Sequence, residues 1–239
     1  MQAVAGELNL PATAFVWSVG AEFSLRWFTA SSELSLCGHG TLAAARVLFD
    51  LGPLEARQIS FQTVAGPLGA RQVGELIEMD FPAEVSSEAD APAELVRALG
   101  VPPTRVERNR LDYLVELESE QAVQMLRPDF MALRQVETRG VIVTARGTGD
   151  ADFVSRFFAP GSGLDEDHVT GSAHCCLGPY WQRRYGVSTL KGRQLSRRGG
   201  VVHVQVDGDR VRLGGMALVV AHMEFSPEIL SERSGEPLG

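Results

Sequence analysis

The sequence has few cysteines and no long apolar run. Its three cysteines are Cys37, Cys175 and Cys176, and an odd number with two of them adjacent argues against a disulfide framework. A reducing compartment fits this cysteine content. No apolar stretch reaches the length of a membrane-spanning helix, and the N-terminus lacks the basic and apolar segments of a signal peptide. We therefore expect a cytoplasmic protein without a membrane span.

Concentrated positive charge is also lacking. The formal net charge is −8, and the adjacent basic residues form two isolated pairs, Arg183-Arg184 and Arg197-Arg198. A nucleic-acid-binding protein needs a basic face or stripe, so we predict no nucleic-acid partner. No spacing of Cys and His resembles a closed zinc site, because His39, His174 and Cys175 belong to different predicted elements. We therefore expect no metal.

Two segments of the chain share one pattern, in which a turn with Gly and small polar residues leads into an apolar helix and a closing Gly. The first is Cys37–Thr41 with the helix 42–51, and the second is Glu166–Cys175 with the helix 176–185. Free backbone N–H groups and the helix dipole bind a carboxylate at such a helix start. An ordinary N-cap is the alternative, since Asp, Thr and Ser are favoured caps. Two copies predict a duplicated fold with both helix starts at one cleft.

Other segments have the periodicity of strands or short helices, separated by Gly and Pro. The predicted strands are 14–17, 23–29, 58–63, 67–71, 76–81, 113–117, 140–145, 153–158, 201–206, 210–213 and 216–225. The predicted additional helices are 1–8, 93–99 and 120–126. An Asp-Gly turn at 207–209 predicts a hairpin, and residues 83–91 are expected to be a linker. With 239 residues, we expect an N-terminal half over 1–83, a C-terminal half over 84–225, and a tail over 226–239.

Six blocks carry a family resemblance that runs from about Leu8 to Val220. They are Leu8-Asn9-Leu10, Arg26-Trp27-Phe28-Thr29 with Glu33, Gly38-His39-Gly40-Thr41, Arg139-Gly140-Val141-Ile142-Val143-Thr144, Glu166-Asp167 with Val169-Thr170-Gly171-Ser172-Ala173-His174, and Arg197-Arg198-Gly199-Gly200. In combination they resemble the phenazine-biosynthesis PhzF-like isomerase family, within the diaminopimelate-epimerase-like fold.

The resemblance implies an α+β fold with two β-barrel-like halves, each wrapped around a central helix, and an active site in the cleft between them. It also implies a homodimer, no organic cofactor and no metal. The characterised phenazine enzyme of the family isomerises a dihydro-hydroxyanthranilate by moving a proton. We therefore expect a small carboxylic acid as substrate or ligand.

The sequence departs from the family pattern in two places. The family begins with a strand and a loop rich in Asp-Ala-Phe and Gly-Asn-Pro, whereas this sequence starts inside the following helix, which predicts a truncated N-terminal half without its first strand. The proton-shuttling glutamate of the family sits two residues after an Asn-Leu pair, and Asn9-Leu10 puts Ala12 there, preceded by Pro11. A methyl group cannot carry a proton. Glu7 lies on the other side of Asn9, so it is not assigned the role.

His39 and Asp167 are the candidate acid–base residues. For His39 the alternative is a histidine of a cap turn, and for Asp167 it is a charge at a helix N-terminus, worth about 0.3–1 kcal/mol. Carboxylate binding is assigned to the residues of the two helix starts, which are Gly38, Gly40, Thr41, Thr170, Gly171 and Ser172.

Cys37 opens a further alternative, because it occupies the position where related epimerases place a basic thiolate. An epimerase needs a second base, and the corresponding turn offers Thr170 instead of a thiol. The other interpretation of Cys37 is a small buried residue. The sequence thus supports three functions: an isomerase that moves a proton on a small cyclic or amino-acid-like acid, a non-catalytic protein that binds a small acid, and a Cys37-based epimerase.

Overall fold

The computed structural model describes residues 1–20, 22–52 and 57–226, which form an α+β fold. The helices are α1 (Gln2–Leu8), α2 (Gly38–Leu51), α3 (Ala93–Leu99), α4 (Glu120–Met125), α5 (Phe130–Leu133) and α6 (Gly171–Tyr185). The strands are β1 (Thr13–Val19), β2 (Glu22–Phe28), β3 (Glu33–Leu34), β4 (Gln58–Thr63), β5 (Gly66–Val73), β6 (Leu76–Pro82), β7 (Ser87–Glu88), β8 (Arg105–Arg108), β9 (Asp112–Glu116), β10 (Gly140–Arg146), β11 (Phe153–Phe158), β12 (Thr189–Gln194), β13 (Gly200–Asp207) and β14 (Arg210–Gly215).

Contacts between Cα atoms group the chain into two compact units. The first unit is Met1–Pro67 with the segment that begins at Met216, and the second is Leu68–Gly215. The domain boundary expected near residue 83 stays a prediction. The predicted tail lies, from residue 227 on, outside the described residues.

The first unit is a small sheet with one long helix. Strands β1 and β2 form an antiparallel hairpin that pairs Thr13 with Phe28, and β4 lies parallel to β2. Helix α2 packs on β1. The apolar side chains buried in this unit are Ala5, Leu25, Trp27, Phe28, Cys37, Ala44, Ala45, Phe49, Ile59 and Phe61.

Helix α2 has one buried face and one open face. Gly40, Ala44, Ala45 and Phe49 belong to its buried residues, while Leu51 is 76% exposed. The apolar sequence of this helix predicts burial on nearly every side. That expectation is wrong for α2, because Val47 and Leu51 are both exposed.

The second unit contains a longer sheet in the order β5-β6-β14-β13-β12-β11-β10-β9-β8-β7. Most neighbours are antiparallel, including the β13–β14 hairpin predicted from its Asp-Gly turn. The exceptions are β9 with β10 and β11 with β12, which are parallel. Helices α3 to α5 cover the outer face of β9–β11 with an apolar core that includes Leu95, Leu99, Val123, Leu133 and Phe158.

The sheet of the second unit surrounds α6. Its residues from Ala173 to Trp181 are all buried, which confirms the burial expected for this helix. Trp181 donates from Nε1 to the hydroxyl of Thr144 on β10 at 3.0 Å. Gly178 faces β13 so closely that a Cβ there would lie 2.8 Å from Cγ1 of Val204. The second unit therefore has the expected form, a sheet wrapped around a central helix.

Most predicted elements are confirmed to within a few residues, but the sequence patterns do not predict β3, β8, α5 or β12. The expected linker 83–91 contains the short strand β7, which pairs with β8. The strand predicted at 216–225 is wrong, because the described residues 216–226 form no strand. Leu218 and Val220 are exposed there, and an apolar alternation becomes a strand only where a neighbour buries its face.

Candidate functional site

Helix α6 begins at Gly171, five residues before the start of the predicted helix 176–185, and Thr170 is its N-cap. The Thr170 hydroxyl does not cap the helix. It donates instead to Oδ2 of Asp167 at 2.7 Å. The first amides of an α-helix have no partner within the helix, and Gly171 and Ser172 are only half-buried. Free amide N–H groups at an accessible helix start can bind an anion by donating hydrogen bonds to it.

Asp167 is tied into the turn that precedes α6. Its Oδ1 accepts the backbone N–H of His168 at 2.8 Å, and its Oδ2 accepts the hydroxyl of Thr170. The residue is 8% exposed. One carboxylate oxygen thus bonds to a backbone N–H and the other to a side-chain hydroxyl of the same turn, so the position of Asp167 is fixed by the turn itself.

Gln194, at the end of β12, forms hydrogen bonds to the same turn. Its Oε1 accepts the Thr170 N–H at 2.8 Å, and its Nε2 donates to the Asp167 carbonyl at 2.9 Å and to the Thr170 hydroxyl at 3.1 Å. Gln194 is buried, with 1% of its surface exposed. The sequence interpretation misses this residue because its partners are 24 or more positions away.

Arg139 and Asp112 flank Ser172. The Arg139 guanidinium forms two hydrogen bonds to the Asp112 carboxylate, one of them from Nε at 2.8 Å, and its Nη2 also donates to Ser172 Oγ at 3.0 Å. Asp112 is fully buried. Its burial raises the pKa of the carboxyl, and the bonds from Arg139 oppose that rise. Arg139 opens one of the six family blocks, but the local pattern gives no sign that it reaches Ser172.

His174 lies on the first turn of α6 and is fully buried. Its Nδ1 is 2.8 Å from the Thr170 carbonyl, which also accepts the His174 backbone N–H at 3.2 Å. Burial lowers the pKa of His174 to about 4, so the imidazole is neutral near pH 7. Nδ1 then carries the proton that reaches the carbonyl, and Nε2 is a buried atom with no hydrogen-bond partner among the described residues.

The start of α2 has different chemistry. Cys37 is its N-cap, and the Cys37 Sγ lies 3.4 Å from Nε2 of the half-buried His39. The Thr41 hydroxyl donates to the Cys37 carbonyl at 2.8 Å, so Thr41 serves the backbone of its own turn. Gly40 has no room for a side chain, since a Cβ there would lie 2.8 Å from Cδ1 of Trp27.

Ala12 precedes β1 and is half-buried. The chain reaches it from α1 through Asn9, whose φ of 45° turns the backbone out of the helix. Glu7 is an exposed residue of α1. Glu7 therefore lies within the helix, whereas Ala12, at the position of the family glutamate, follows the turn at Asn9.

The remaining cysteines belong to the core of the second unit. Cys175 and Cys176 are buried on α6, and burial raises the pKa of the Cys176 thiol to about 11. Within residues 1–20, 22–52 and 57–226, no three His, Cys, Asp or Glu side chains are grouped to hold a metal ion. In the same residues, no helix is long and apolar enough to cross a membrane.

The fold is shared with epimerases. A Pseudomonas aeruginosa structure described as a predicted epimerase matches with a TM-score of 0.64 and 23% sequence identity, over 92% of this chain and 88% of that chain. At this identity the likeness shows the fold alone. It confirms the expected α+β, diaminopimelate-epimerase-like architecture.

The family follows from closer relatives. The model of the phenazine biosynthesis-like proteins, PhzC-PhzF, matches residues 1–223. A PhzF-family crystal structure from Enterococcus faecalis has a TM-score of 0.89 and 40% identity, covering 92% of this chain and 84% of that chain. A Halalkalibacterium halodurans protein named an uncharacterized isomerase is 48% identical over 228 residues, 94% of this chain and 86% of the relative. The chain therefore belongs to the phenazine biosynthesis-like PhzC-PhzF family, as its six sequence blocks predict.

Proposed function

We propose that this protein is an isomerase that moves a proton on a small cyclic or amino-acid-like carboxylic acid. The carboxylate binds at the start of α6, to the amides of Gly171 and Ser172 and to the Ser172 hydroxyl. The observation that carries the proposal is this half-buried helix start, with the Arg139 guanidinium beside it. Uncapped amides and a hydroxyl both favour an anion there.

His39 is the proposed proton carrier. An imidazole is the commonest general acid–base group. His39 is half-buried at the start of α2, whereas Asp167 has both oxygens engaged by its own turn. We therefore assign proton transfer to His39 and the orientation of the Thr170 turn to Asp167. That the two helix starts share one cleft stays a prediction.

Deuterium incorporation tests the reaction. The protein is incubated in D₂O with a panel of cyclic and amino acids, including dihydro-hydroxyanthranilate, and each acid is then analysed by mass spectrometry. We expect deuterium at a carbon of at least one acid, and loss of that exchange in His39→Asn. Exchange that is undiminished in His39→Asn assigns the proton to another residue, and no exchange in any acid contradicts the isomerase.

A non-catalytic acid-binding protein is the second candidate, and Ala12 favours it. The family position for the proton shuttle has a methyl side chain here, although the start of α6 keeps its donors. General acid–base catalysis contributes about 10²–10⁴-fold to rate, so loss of the glutamate removes much of the activity. Binding of an acid without any exchange would support this candidate.

A Cys37-based epimerase is the third candidate. The contact of 3.4 Å between the Cys37 thiol and the His39 imidazole favours it, because a neighbouring imidazole can take up the thiol proton. However, the N-cap of α6 is Thr170, whose hydroxyl is bonded to Asp167. An epimerase with two thiol bases would need a cysteine at the position of Thr170. Since the chain has no thiol there, we prefer the isomerase.

The proposal includes a homodimer in the cytoplasm that works without a metal or an organic cofactor. It is supported by the family resemblance and by the cysteine content. Analytical ultracentrifugation measures the dimer directly, and exchange activity that survives extensive dialysis against EDTA is expected. A monomeric sedimentation coefficient or an EDTA-sensitive activity would contradict these parts of the proposal.

A further inference from the structure

We propose that Arg139, held in place by the buried carboxylate of Asp112, positions the Ser172 hydroxyl so that it donates its hydrogen bond to the ligand carboxylate. The inference rests on the proposed function, because it concerns the same binding site. Arg139 is thus a positioning residue that acts through Ser172.

The direction of the hydrogen bonds supports this role. A guanidinium can only donate, so the contact of 3.0 Å between Nη2 and Ser172 Oγ uses the serine oxygen as an acceptor. The hydroxyl proton cannot then point toward Arg139. It is directed away from the guanidinium, which leaves it available to an anion at the helix start.

The carboxylate of Asp112 fixes the guanidinium. It takes one hydrogen bond from Nε and one from Nη2, and such a two-point contact defines the plane of the guanidinium. Arg139 is itself anchored at its backbone, where its N–H donates to the Leu111 carbonyl at 3.0 Å. Nη2 therefore has a defined position when it reaches Ser172.

The arrangement also limits the charge at the site. The positive charge of Arg139 lies next to the ligand position, but the negative charge of Asp112 offsets it. A strong attraction of any anion is thereby reduced, while the orientation of the hydroxyl is kept. We therefore expect Arg139 to affect ligand affinity mainly through Ser172, and only weakly through its charge.

A double-mutant cycle tests the inference. Arg139→Lys keeps the ion pair with Asp112 and so should keep the fold, but one ammonium cannot reproduce the two contacts with Asp112 and the contact with Ser172. The variants are Arg139→Lys, Ser172→Ala and their combination. Arg71→Lys is the matched control, since Arg71 forms an arginine–carboxylate pair with Glu78 on the neighbouring strand.

Binding is followed by amide chemical shifts at Gly171 and Ser172. The probes are 2-aminobenzoate, its neutral analogue 2-aminobenzamide, and acetate as the smallest carboxylate. Loss of one hydrogen bond to a charged group should weaken the binding of 2-aminobenzoate about tenfold in Ser172→Ala. We expect a similar loss in Arg139→Lys, no further loss in the double variant, and no change in Arg71→Lys. Thermal melts confirm that each variant is folded.

The outcomes separate the inference from the proposed function. If neither carboxylate shifts the α6 amides of the wild-type protein, the proposed function fails and the inference fails with it. If Ser172→Ala weakens binding but Arg139→Lys does not, or if their effects add, the binding site stands and the positioning role of Arg139 is wrong. A merely structural role predicts additive effects, which the cycle measures directly.

Discussion

Protonation of His174 should destabilise the fold in a defined pH range. The imidazole is fully buried on α6, and its Nε2 has no hydrogen-bond partner among the described residues. The charged form would add a second buried donor without an acceptor. Burial therefore lowers the pKa of His174 from about 6.5 to about 4, whereas the unfolded chain keeps the ordinary value.

The size and sign of the effect follow from proton linkage. Above about pH 6.5 the histidine is neutral in both states, and the free energy of unfolding is unaffected. Between pH 6.5 and 4 only the unfolded chain binds the proton, so the free energy of unfolding falls as the pH falls. The loss is about 2 kcal/mol at pH 5 and about 3 kcal/mol at pH 4, because one pKa unit corresponds to about 1.4 kcal/mol.

Urea unfolding at a series of pH values measures this loss. His174→Asn removes the titrating group but keeps a donor for the Thr170 carbonyl. The variant should be less stable at pH 7.5, and the gap should narrow by about 2 kcal/mol at pH 5. His203→Asn is the control, since His203 is exposed on β13. If the free energies of unfolding of wild type and His174→Asn differ by the same amount at every pH from 7.5 to 5, the reasoning is refuted.

Three further predictions concern packing and the candidate site. Gly178→Ala should lower the free energy of unfolding by about 1 kcal/mol, because a Cβ 2.8 Å from Val204 Cγ1 costs about 1–3 kcal/mol, which is more than the gain in helix propensity. Urea unfolding measures this loss. Gly161→Ala is the control and should leave the free energy of unfolding unchanged, because no atom lies within 4 Å of its Cβ. Ala12→Glu should raise deuterium exchange by about 10²-fold if the added carboxylate is well placed, and a wild type as fast as the variant would show that the position is not vacant. Cys37→Ser should keep exchange within a few-fold, whereas loss of exchange would favour the epimerase.

The central helices and their starts could be predicted because their signals are local. A turn with Gly and Thr, an apolar run and a closing Gly are all contiguous, and they give the last residues of α2 and α6, although both helices begin four or five residues earlier than the apolar runs. Strand β12 could not be predicted in the same way. Its inward residues are Leu190, Gly192 and Gln194, and only the first of these is a large apolar residue, so no apolar alternation marks the strand.

The residues that support the site could not be predicted either, because their partners are far away in the sequence. Gln194 is 24 positions from Thr170, and Arg139 is 33 positions from Ser172. No periodicity connects residues at such separations, because sheet pairing alone brings them together. Buried polar side chains such as Gln194 and Asp112 are costly unless they are hydrogen-bonded, but the bonds that stabilise them are visible only in the folded structure.

The two helix starts share a sequence pattern but differ in chemistry, and this difference supports the roles proposed for them. At α6 the N-cap Thr170 is buried and bonded to Asp167 and Gln194, so this turn is rigid and presents fixed donors. At α2 the N-cap is a thiol next to the half-buried imidazole of His39. Rigid donors suit the binding of a carboxylate, whereas an imidazole is the commonest general acid–base group. We therefore expect substitutions at the start of α6 to change ligand affinity and substitutions of His39 to change the rate of exchange. If both kinds of substitution change affinity and rate to the same extent, these separate roles are wrong.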